Sequence, residues 1–145
     1  VVRFFFGLVV FFQVFGSVVF GGTALVGGIS AVVVNACVGG NAWVGGNAQV
    51  RGNARVGGDA RVFSINHILT IGVIGSRDDF TTFYRDKDNE ITVKCGYFLD
   101  KIDKFLEKVT ETHGDSNYAL VCRAAVEAAR LQIDLSNEVT KDADE

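Results

Sequence analysis

From Phe20 to Arg61 the chain reads FGGTAL, VGGISA, VVVNAC, VGGNAW, VGGNAQ, VRGNAR, VGGDAR, seven hexads without a slip. Each opens on a large apolar residue, Phe20, Val26, Val32, Val38, Val44, Val50 or Val56, and Val62 opens the next. Four places later stands a small one: Ala24, Ser30, Ala36, Ala42, Ala48, Ala54 or Ala60. Six residues turn an α-helix through about 600°, so these positions would spiral around its surface and form no stripe. A short strand and a tight turn accommodate the pattern. Valine points inward from a flat face, alanine fits the crowded inside of a corner, and Gly with Asn or Asp supplies positive φ.

VGGNAW and VGGNAQ resemble the bacterial hexapeptide-repeat pattern of left-handed parallel β-helices. The resemblance implies a triangular prism of three hexads per coil, about 18 residues, stacked about 4.8 Å apart. Val26, Val44 and Val62 would then form one internal ladder, Val38 would lie beneath Val56, and Trp43 would stack on Arg61. Carried backward, the phase runs through Val2, Leu8 and Val14. So narrow a core holds no pocket, and its open ends need caps or partners.

Working outward, residues 1 to 20, VVRFFFGLVVFFQVFGSVVF, carry only Arg3, Gln13 and Ser17 as polar side chains. That is long enough for a membrane-spanning helix. The β-branched and aromatic bias and the interruptions at Gly7, Gln13 and Gly16 favour a Phe-rich cap or a subunit contact. No A-x-A-like cleavage site follows. The first residue, Val1, fits a GTG start translated literally, a processed product or a fragment. Residues 1 to 62 hold four arginines and one aspartate, too sparse a basic surface for nucleic-acid binding. Cys37, Cys95 and Cys122 are widely spaced and odd in number, which argues for a reducing compartment such as the cytoplasm.

Beyond Val62 the hexad phase fades. ILTIGVIG reads as a strand, and FTTFY (80 to 84) with ITVKCGYF (91 to 98) as a β-hairpin across the polar RDKDNE turn. A helix is expected from about Asp100, as N-cap, to His113, with Ile102, Phe105, Leu106 and Val109 on one face and Gly114 as the stop. A second begins near Ser116 and buries Ala119, Cys122, Val126, Ala129 and Ile133. HILTIGVIGSRDDFTTFYR, CGYF and ETHGDSNYA resemble a small domain that follows such repeats in phage and prophage proteins of gut bacteria. That resemblance spans most of residues 67 to 133 and implies origin without implying an activity.

Ser76, Arg77, Asp78 and Asp79 form the densest polar cluster behind an apolar strand, a loop suited to an anion or a partner. His113 and Asp115, separated by Gly114, suit a general acid/base pair; the same residues suit a helix end, where histidine favours the C-terminal dipole and glycine caps. Cys95 has only Lys94 as a basic neighbour, on the opposite strand face, and reads as a buried thiol. Histidines sufficient for zinc catalysis are lacking, since only His67 and His113 occur. No cofactor, metal or catalytic residue is assigned.

The expectation is a mainly β chain: a left-handed parallel β-helix over residues 1–66 with its Phe-rich cap or anchor, a small α+β domain of one hairpin and two helices over 67–133, and an acidic tail over 134–145. The functional expectation is a non-catalytic scaffold or interaction protein of phage or prophage origin with a protein partner, self-associating as a homo-oligomer. In one version it inhibits a host defence system. The alternatives are an acyltransferase-like hexapeptide-repeat enzyme and a surface protein anchored in a membrane through residues 1–20.

Overall fold

The computed structural model describes residues 36–136 and the strand residues 3–4, 13–15, 19–20, 25–26 and 31–33. In chain order the short strands are β1 (Arg3–Phe4), β2 (Gln13–Phe15), β3 (Val19–Phe20), β4 (Leu25–Val26), β5 (Ala31–Val33), β6 (Cys37–Val38), β7 (Trp43–Val44), β8 (Gln49–Val50), β9 (Arg55–Val56) and β10 (Arg61–Val62). They form three small parallel sheets, ordered β1-β4-β7-β10, β2-β5-β8 and β3-β6-β9. A 3-10 turn at Ile65–His67 leads into β11 (Ile68–Ile74), β12 (Asp79–Arg85), β13 (Ile91–Cys95) and β14 (Phe98–Lys101), one antiparallel sheet in sequence order. Helices α1 (Ile102–His113) and α2 (Asn117–Gln132) complete it.

The expected mainly β fold, a left-handed parallel β-helix trailed by a small appendage, is corrected: this is a small α+β protein. The hexad strands are only two or three residues long, in sheets of three or four strands, and no solenoid is assigned among the described residues. The longer regular elements are the four antiparallel strands and the helices of 12 and 16 residues. Hexad periodicity reports local strand and turn spacing; it does not weigh that part of the chain against the rest.

Within each hexad the physics is simple. From Cys37 to Val62 the residue before each valine is exposed or half-buried and the valine is buried, as with Trp43 at 37% exposure and Val44 at 0%. Ala42, Ala48, Ala54 and Ala60 are buried, and each donates its N–H to the carbonyl three residues back. The second residue of each of these turns, Gly40, Gly46, Gly52 or Gly58, takes positive φ. Glycine alone supplies it in these turns, and Asn and Asp do not. At Gly46, with φ 55°, a Cβ would also fall 2.0 Å from the Phe63 carbonyl oxygen.

Val26 pairs with Val44 and Val44 with Val62, while Val38 pairs with Val56. The backward phase fails at its far end, because Phe4 pairs with Val26 where Leu8 was expected. Almost every residue there is apolar, so the pattern does not specify register. Apart from those strand positions, the expected cap, oligomer contact or anchor over residues 1 to 20 lies outside the described residues, as does the tail beyond Ser136. No helix among the described residues is long and apolar enough to cross a membrane.

Strand β12 joins the two parts. Tyr84 and Phe83 are both fully buried, but Tyr84 packs into the valine and alanine core of the hexads whereas Phe83 packs against the helices. The two-residue alternation of a strand thus gives the antiparallel sheet two covered faces. Backbone contacts fix the seam: the Tyr84 hydroxyl donates to the Gly57 carbonyl at 2.9 Å, Arg55 N–H to Thr82 Oγ1 at 3.0 Å, and Lys87 N–H to the Asp59 carbonyl at 2.9 Å.

Two local expectations are revised. The run ITVKCGYF is two strands, because Gly96 takes φ 58° and turns the chain between Cys95 and Phe98. Asp100 lies in β14, and α1 starts two residues later without a side-chain cap. Gly114 does end α1, at φ 57°, with its N–H on the Thr110 carbonyl. In α2, Ala119, Cys122, Val126 and Ala129 are buried, joined by Ala125 and by Ile133 just past the helix end.

Candidate functional site

Antiparallel pairing brings two turns to one end of the four-stranded sheet. Ile74 pairs with Asp79 and Cys95 with Phe98, so the β11–β12 turn (75–78) and the β13–β14 turn (96–97) lie side by side. The last turns of α1 and the first turns of α2 pass over them. Between these elements lies a cleft of about 410 Å³, within the size range of small-ligand sites.

Ile74, Phe98, Phe105 and Val109 make its apolar walls. Phe105 is positioned by an edge contact to Phe83, centroids 6.1 Å apart, and a tilted contact to Phe98 at 5.4 Å. Cys95 and Cys122 line the same space from the sheet and from α2. Thr81 donates its hydroxyl to Cys95 Sγ at 3.3 Å. Burial, and secondarily the neighbouring Cys95, raises the Cys122 thiol above its ordinary value, so it is a neutral thiol at physiological pH.

The rim is polar. Ser76, Arg77 and Asp79 come from the first hairpin, and Lys108, Thr112 and His113 from α1. Ser76 Oγ lies 3.5 Å from His113 Nε2, and the His113 ring rests against Tyr118 of α2 at 5.6 Å. Asp79 is occupied in part by the Phe80 N–H, at 2.7 Å. Two aromatic residues flank the opening: Tyr97 is 96% exposed and Tyr118 50%.

Four of the six residues singled out in the sequence therefore meet at one cleft: Ser76, Arg77, Asp79 and His113. Two stand apart. Asp78 sits in the turn at φ 48° outside the lining, and Asp115 faces solvent with Arg123 3.5 Å away, so it does not pair with His113. The thiols and the aromatic walls were missed. Their sequence positions read as core, and only the pairing of β13 with β12 and the passage of α2 over the sheet turn them toward a common space.

Elsewhere, Trp43 stacks on Arg61, whose guanidinium carbon is 4.1 Å from the ring centroid. His67 is buried, with Nδ1 accepting the Phe63 N–H at 3.0 Å. Among the described residues no group of three or more His, Cys, Asp or Glu is placed to hold a metal ion. Compared with family models, curated proteins and solved structures, the chain matches none.

Proposed function

We propose that the chain is a non-catalytic recognition protein of the bacterial cytoplasm, in which the hexad sheets serve as a scaffold and the cleft engages a protein partner. The observation that carries this reading is the cleft itself: apolar walls, a polar rim, and an almost fully exposed Tyr97 beside the opening. Exposed tyrosines around an apolar recess are the composition of interface anchors, because a large ring gains contact area at low entropic cost. The three free cysteines agree with a reducing compartment.

A photoreactive benzoylphenylalanine placed at position 97 and exposed to host extract tests it. Adducts to a defined protein are expected from position 97 and not from a control at Gln49, on the exposed hexad face. Equal adducts from both positions would contradict a cleft-centred site.

One contact favours a second reading, acyl transfer. Ser76 beside His113 has the composition of a nucleophile and its base, although 3.5 Å is long for that hydrogen bond. A fluorophosphonate adduct on Ser76 would establish this reading, and intact mass after incubation with the reagent decides it.

A further inference from the structure

The rim of the cleft is unequal in its hydrogen-bonding groups. Ser76, Thr112 and His113 offer hydroxyl and ring donors, Arg77 and Lys108 add two full positive charges, and the one carboxylate in the lining, Asp79, already accepts from Phe80. Lys108 is engaged only at 4.0 Å by Glu111, both of them exposed, and Arg77 has no ion pair among the described residues. Donors over an apolar recess fit a group that is apolar at one end and anionic at the other. Tyr97, on the lip of the lining, and Tyr118, against His113 beside it, stay largely exposed, so that a small acid filling the recess would leave most of both rings in water.

We infer that the cleft receives the C-terminal residue of a protein partner, its apolar side chain between Phe98, Phe105 and Val109 and its terminal carboxylate at Arg77 and Lys108. This rests on the recognition reading above and specifies the partner's chemistry. Residues preceding that terminus would lie against the two tyrosines.

The probe is the peptide Gly-Ser-Gly-Ser-Gly-Phe as the free acid, titrated by calorimetry into the full chain. It is compared with the same peptide amidated, with a free-acid version ending in Ser, and with 3-phenylpropionate. The free acid is expected to bind at least about tenfold more tightly than each of the others, the worth of one charge-assisted contact or one buried ring. Arg77→Ala and Lys108→Ala, both at solvent-facing positions, are expected to weaken it about tenfold each. Lys104→Ala, on the same helix but outside the lining, is expected to leave it unchanged.

Absence of binding by the free acid overturns the inference. So does equal binding by the amidated peptide, which would leave the cleft a recognition site without a carboxylate requirement. Equal binding by 3-phenylpropionate assigns the site to small acids and also overturns it. Cross-linking from position 97 that persists in any of these cases shows that the recognition reading has survived without this refinement.

Discussion

At the scale of single residues, two buried polar groups help hold the molecule together, and each gives a measurable consequence. His67 is 1% exposed; burial, with the positive charge of Arg85 adding to it and Asp134 opposing, lowers its pKa to about 4. The fold therefore keeps the ring neutral. Its contribution is complete above the unfolded value near 6.5 and is lost as pH falls toward 4, on the order of 3 kcal/mol. Urea titrations between pH 7 and pH 4 should show His67→Gln flattening that decline relative to the parent chain. Burial pushes the Asp86 carboxyl up, but hydrogen bonds from Lys101, Thr92 and the N–H groups of Glu90 and Asp88 together hold it below its ordinary value. Asp86→Asn removes the charge from that network and is expected to cost about 2–3 kcal/mol in the same measurement. Asp86 did not stand out in the sequence, since RDKDNE reads as a solvated turn, and only folding shows that one of its aspartates points inward and ties β13 and β14 together.

Among the elements, the hexads were the most legible, because valine and alanine at fixed spacing leave a chain of L-residues few ways to turn. Their turn chemistry was only half legible: Gly and Asn both tolerate positive φ, and the structure assigns it to glycine throughout the described turns. The same turns separate two costs. Gly46 and Gly52 share a positive φ, but a Cβ at Gly46 would collide with the Phe63 carbonyl while nothing lies within 4 Å at Gly52. Gly52→Ala should cost about 1–2 kcal/mol from backbone strain alone, and Gly46→Ala clearly more, as a larger fall in the denaturation midpoint. The β13–β14 turn was illegible for the opposite reason, since a lone glycine inside ITVKCGYF competes with a strong β pattern and the pattern wins on paper. The correct placement of α2 rests on its Ala-rich buried stripe, which survives a shift of a residue or two at either end.

Over the whole molecule, the antiparallel sheet is the shared wall between hexad core and helix layer, and this arrangement was not legible because no sequence period records which face of β12 meets which partner. Tyr84 crosses that wall. Its phenol is buried, donates to Gly57, and is shifted well above its ordinary pKa by burial first. Tyr84→Ala should cost about 3–5 kcal/mol and broaden or split a thermal transition that is single in the parent chain, as calorimetry would register. The cleft belongs to this scale too, since its lining comes from all four strands of the antiparallel sheet and both helices, while four of its rim residues were visible beforehand as polar interruptions. The most direct test of the recognition cleft uses the chain's own thiols. Cys95 lines it, and Cys37, similarly half-buried, lies in the hexads. With N-ethylmaleimide and peptide mass spectrometry, saturating phenylalanine-terminated free-acid peptide is expected to slow alkylation of Cys95 severalfold and leave Cys37 unchanged. Unaltered labelling of Cys95, or equal protection of both thiols, would contradict the account.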